Sequence, residues 1–249
     1  MFRLIIFEFR KLFRNLGFYI CSLVLIGLSI FTVYSAKFYQ EQSGIDDPTM
    51  CGLKSLMEAL PTSMIVVMLG IFIAMLTCED YTLGTVRNIL TRGYSRLGFY
   101  LSKFVAVIFA TVFMSVLCCA VSYATGCYFW EAGDAIEAEQ IKNLLCQLCI
   151  MIAYGAIFYS ISTVLQKTGG SIAVCVVLPM ILTIVLRLGD TALAEKEIEI
   201  SSYWLENIGA ALGVISAEAE DMKKALAASG IYTAAFLALG WLLTMKREY

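Results

Sequence analysis

An all-α integral membrane protein with six transmembrane helices is the fold class this sequence predicts, on three observations. Of its 249 residues 60% are apolar and 15% charged, whereas soluble domains run nearer half and a quarter. Six stretches free of Asp, Glu, Lys and Arg are each long enough for the roughly 20 residues that a bilayer core requires. The basic residues, finally, are segregated. If both termini lie on one side, that side holds eleven Lys and Arg against four acids, and the opposite side seven against sixteen. The positive-inside rule then places both termini in the cytoplasm.

The elements follow in chain order. In residues 1–14, Phe2, Ile5, Ile6, Phe9 and Phe13 share one helical face, with Arg3, Arg10, Lys11 and Arg14 largely elsewhere. That pattern predicts an interfacial helix lying on anionic lipid. The spans are expected at about 15–36, 59–78, 104–130, 143–166, 168–186 and 225–245, more than half of the chain. They leave no room for a separate soluble domain, so residues 1–249 are read as one membrane domain. The first span is too long for the apolar part of a signal peptide, and Tyr34 occupies a position that cleavage requires to be small. Pro61 suits the first turn of the second span. Pro179 falls inside the fifth, where it should kink the helix and deprive the Cys175 carbonyl of its amide partner.

Between the second and third spans lies the most patterned polar stretch. Val86, Ile89 and Leu90 form an apolar stripe at helical spacing, with Thr85 as the expected N-cap and Gly93 as the stop. A short amphipathic helix is predicted, presenting Arg87, Asn88, Thr91 and Arg92, with Ser95 capping the helix that follows. Glu79 and Asp80 end the second span, where the helix dipole disfavours carboxylates, so Arg87 or Arg96 is expected to neutralise them.

This segment resembles that of class-2 ABC export permeases, the membrane subunits of bacterial antibiotic, lantibiotic and peptide exporters. The resemblance rests on Glu79, Gly84, Thr85, Arg87, Leu90, Gly93, Ser95, Arg96 and Lys103. The chain departs from it at Arg92 and Tyr94, which flank Gly93 where many relatives carry a proline nearby. The resemblance implies that the short helix is a coupling helix seated in a separate ABC ATPase subunit, two copies of which would serve this permease and a second copy or similar subunit. It implies residence in the bacterial cell membrane. It also implies that the second and fifth spans line the route and that the first and fifth meet across a two-fold axis.

Other function classes fare worse. The chain has no histidine, which removes the Ser-His-Asp and Cys-His arrangements and the commonest zinc ligand. Cys146 and Cys149 form a CxxC inside an apolar stretch, where cysteine acts as a small hydrophobe. No phosphate-loop motif is present, so ATP and Mg are expected on the partner and no cofactor in this chain. A net charge of −2 gives nucleic acid nothing to bind. An ion channel or a secondary transporter without an ATPase is the alternative, and the charge-free spans argue against proton coupling.

Two further regions bear on transport. Met64, Met68, Phe72 and Met75 recur on one face of the second span, an adaptable apolar wall or a packing surface. With Pro179 they are the candidate route. On the outer side, Tyr203, Trp204, Leu205, Ile208, Leu212 and Ile215 recur at near-helical spacing, which predicts a helical cap with Ser201 or Ser202 at its start. Glu195, Glu197, Glu199, Glu218, Glu220 and Asp221 would hydrate its rim, and either attract a cationic peptide or merely satisfy the topology. Spans without charge favour an amphipathic peptide or an apolar antimicrobial as cargo.

Overall fold

The computed structural model describes residues 2–43, 49–60, 63–133, 136–192, 201–214 and 218–245. Pro61, Ile215, Glu195, Glu197 and Glu199 lie outside the described residues. Helices account for all the regular structure described: α1 (Phe2–Arg14), α2 (Leu16–Ser43), α3 (Gly52–Met57), α4 (Ser63–Thr82), α5 (Thr85–Thr91), α6 (Arg96–Phe129), α7 (Ala138–Leu165), α8 (Thr168–Ala192), α9 (Leu205–Leu212) and α10 (Ala219–Met245). A 3-10 turn at Ser201–Tyr203 precedes α9. Six of these, α2, α4, α6, α7, α8 and α10, are long and apolar enough to cross a membrane.

Most of the spanning helices overrun the charge-free stretches. Helix α2 continues past Lys37, which faces Glu41 one turn on at 3.9 Å, and α4 continues through Glu79 and Asp80. Helix α6 begins at Arg96, so it contains Lys103. An amide left unpaired near the bilayer is costly, so helices run on into the headgroup region and carry charges in those turns.

Helix α7 is the hub. It packs on α10, α4, α6, α8 and α9, while α6 carries α1, α2 and α3 along its other side. In the apolar windows of α4 and α7, 61% and 67% of residues are buried, against 11% in α8 and α10. The two central helices are thus enclosed by the chain itself, and α8 and α10 show most of their surface to the surroundings. Tyr159 of α7 illustrates the hub packing: its hydroxyl donates to the Tyr100 carbonyl at 2.8 Å, and its ring lies 4.9 Å from that of Tyr100.

Helix α3 has no counterpart in the sequence reading. Six residues containing a lysine carry too little periodicity to detect. It is nevertheless enclosed, with Leu53, Leu56 and Met57 buried against Cys119, Tyr123 and Leu144. Its seat requires Gly126 of α6, because a Cβ there would lie 2.7 Å from the Ser55 hydroxyl oxygen.

Candidate functional site

Glu8 falls on the same face of α1 as Leu4 and Leu12, at spacings of four, and all three are buried. The face that carries it packs on α6. Asp80, in the last turn of α4, and Lys103, two turns into α6, are brought to the same place; the side chains of Glu8, Asp80 and Lys103 are each 1% exposed. Lys103 pairs with Asp80 in direct contact and stands 3.5 Å from Glu8. Lys11 reaches Asp80 at 2.5 Å and Glu79 at 3.1 Å. Asn15 donates to Glu79 at 3.2 Å. Three acids and two lysines thus join α1, α4 and α6.

This corrects the expected partners of Glu79 and Asp80. Lys11 and Lys103 neutralise them, not Arg87 or Arg96. Arg87 lies on the exposed side of α5, away from its buried stripe, and Arg96 extends to the Met245 carbonyl at 3.5 Å. Nor are the spans free of charge, since Lys103 is buried within α6. Local sequence order could not reveal this, because the lysines come from α1 and from well inside α6. The available signal was Glu8, a single acid among the bases of α1 at the spacing of its most buried leucines.

Helix α5 stands beside this cluster. Val86 and Ile89 are buried with Leu4 of α1 and Phe99 of α6, and Tyr81, Leu90 and Tyr94 pack around them. Arg87, Asn88 and Arg92 face outward and are exposed. Thr85 is not the N-cap. That place is taken by Gly84 in the left-handed region, at φ 66, with no side-chain cap. Gly93 follows the C-cap Arg92 at φ 84. Two positive-φ glycines therefore set both ends of α5. Ser95 does cap α6, its hydroxyl accepting the Gly98 amide at 3.1 Å.

At the opposite end, α9 is shorter than expected and begins later. Ser201 and Ser202 lie in the 3-10 turn and Trp204 is the N-cap. The Ser201 amide is taken by Asp190 at 3.1 Å. Trp204, Leu205, Ile208 and Leu212 are buried, while Tyr203 is 69% exposed. The Trp204 indole donates to Thr183 at 3.0 Å, and Thr183 also touches Glu206. The inner anchors are two amides one turn apart on α7. Asn143 donates to the carbonyls of Leu212 at 2.9 Å and Val214 at 3.2 Å; Gln147 donates to those of Leu212 at 2.8 Å and Met57 at 3.1 Å. These bonds satisfy carbonyls that the ends of α9 and α3 would otherwise leave without donors.

The methionine stripe of α4 does not form one open wall. Met64 and Met75 are exposed, Met68 is half-buried, and Phe72 is enclosed, its ring 5.6 Å from that of Phe18. Helix α2 covers that part of the stripe. Pro179 lies inside α8, and its carbonyl accepts the Thr183 hydroxyl at 3.0 Å.

A family model described as "ABC-2 family transporter protein" matches residues 4–189. That range takes in the ion cluster, α5, four whole spanning helices and nearly all of α1 and of the fifth spanning helix, α8. Comparison with curated proteins gives no match. With three quarters of the chain matched and its helices arranged as a multi-pass membrane protein, it belongs to the ABC-2 transporter family, whose members are membrane subunits of ABC transporters.

Proposed function

We propose that this chain is the export permease of an ATP-driven transporter in a bacterial cell membrane, with α1, α5 and both termini on the cytoplasmic side. Helix α5 is the element that meets the ATPase, and two ATPase subunits serve a pair of permeases, two copies of this chain or this chain with a similar one. ATP and Mg belong to the ATPase. The cargo is an amphipathic peptide or an apolar antimicrobial, with α9 and its preceding turn as an outer cap.

The observation that carries this reading is the two-sidedness of α5. Its inner face is fastened to α1 and α6 next to an ion cluster that also holds α4, while its outer face offers Arg87, Asn88 and Arg92 to a partner. A push on α5 would reach three helices that are already tied together. The cluster sits at one end of the spans, whereas the ion sites of secondary transporters sit near the bilayer midplane, so it fits a structural tie better than an ion-coupling site.

Charge reversal at both positions, Arg87→Glu with Arg92→Glu, should abolish co-purification with the cognate ATPase while leaving the permease folded by size-exclusion chromatography. Undiminished co-purification would remove α5 from the contact. Cargo is tested by ATPase stimulation in the assembled complex: amphipathic peptides should stimulate, and stimulation by polar sugars alone would exclude the proposed class.

A further inference from the structure

Helix α1 has a third face that neither the core nor the apolar face accounts for. Phe7, Arg10 and Arg14 recur at spacings of three and four, with Lys11 beside Arg10, and together with Asn15 and Glu79 these residues line an open cavity of about 280 Å³. Lys11 is committed to Glu79 and Asp80. Arg10 and Arg14 are exposed, and among the described residues no acid pairs with either. Two like charges one turn apart repel each other. A guanidinium pair of this kind is suited to the oxygens of a phosphate, which it can grip by paired hydrogen bonds. Glu79 does not cancel the field, because Lys11 and Asn15 already engage its carboxylate.

The surroundings specify where that phosphate comes from. Phe2, Ile6 and Phe13 are exposed on the adjoining apolar sector of α1, and Phe7 at the cavity is 44% exposed. Basic and apolar groups side by side on one helix match the boundary between headgroups and acyl chains. We infer that the cavity lined by Arg10, Lys11, Arg14, Asn15 and Glu79 binds the phosphate headgroup of one anionic phospholipid, with Phe7 against its glycerol and first acyl carbons. The site rests on the placement of α1 at the membrane surface proposed above. It shares Lys11, Asn15 and Glu79 with the ties that hold α1 to α4, so an occupied site would brace the same contact from the lipid side.

Native mass spectrometry of the purified full-length permease, titrated with phosphatidylglycerol and in parallel with phosphatidylcholine, tests this without reference to ATPase activity. Phosphatidylglycerol should add as one preferred molecule. Arg10→Gln with Arg14→Gln should weaken that addition by about 30-fold, from the contribution of two basic groups near an anionic headgroup. Both side chains are exposed, so the variant should keep the thermal midpoint of the parent. Arg3→Gln removes one charge from the same helix outside the cavity and should have little effect. The inference is overturned if Arg3→Gln weakens binding as much as the cavity variant, if phosphatidylcholine binds equally well, or if inorganic phosphate displaces the lipid stoichiometrically.

Discussion

The two ends of this bundle fasten their short helices with different chemistry. Around α1, on which α5 packs, the ties are ionic, with Lys103 held by Asp80 and Glu8 out of solvent and the partly exposed Lys11 reaching Asp80 from α1. Around α3 and α9 they are neutral, with Asn143 and Gln147 donating to backbone carbonyls. A charge separated from its partner in a low-dielectric interior is left at a cost of several kcal/mol, whereas an amide donor can exchange one carbonyl for another or for water. The ionic end is therefore built to move as one piece. The neutral end can let go and re-engage at a smaller cost, as the proposed outer cap would require.

If that contrast holds, the largest effect should come from breaking the ionic end. Asp80→Leu leaves two lysines facing each other beside Glu8, and should cost about 3–5 kcal/mol of stability, read as a lowered thermal midpoint in detergent. The triple variant Asp80→Leu with Lys103→Met and Glu8→Gln, which strands no buried charge, should recover much of that loss. Equal damage from the single and triple variants would mean that the cluster contributes no coupling.

The neutral end should respond less, and locally. Gln147→Leu withdraws a donor from Leu212 and Met57 and should cost about 1–3 kcal/mol. Hydrogen exchange should rise over 205–212 while α4 and α6 stay protected. Exchange that rises equally at the α5 end would erase the distinction between the two ends. Gly126→Ala presses a methyl group against Ser55 and should cost about 1–3 kcal/mol through displacement of α3, visible as increased labelling of Cys127 or Cys51, both free thiols. Ser95→Ala should be the mildest, about 1 kcal/mol from the lost cap, with exchange increased only at the first turn of α6.

The spanning helices were legible in the sequence because the bilayer imposes a length and a composition that one chain shows without its partners. Helix α5 was legible for a related reason, since its stripe and its bounding Gly93 are local. Its start was misjudged. Thr85 has a capping side chain, yet Gly84 alone can take the left-handed conformation on which α5 begins. The ion cluster stayed hidden because no period links Glu8, Asp80 and Lys103; only the packing of α1 and α4 against α6 brings them together. The enclosure of Phe72 fits the packing reading of its stripe, but its neighbours on α4 do not say that α2 is the helix that lies over it. Helix α3 and the amides that secure it fall below any pattern that six residues can carry.

The buried charges also dictate an order of assembly. Glu8 leaves the ribosome long before either Asp80 or Lys103 exists, and an isolated charge resists entry into hydrocarbon by about 2.5–3.5 kcal/mol on insertion scales. Helix α1 must therefore wait at the surface while α2 is threaded. Asp80 and Lys103 stand at the same end of successive spans, so α4 and α6 can enter as a hairpin with their charges already neutralised. Only then does a low-energy berth for Glu8 appear, so α1, made before α4 and α6, docks after them.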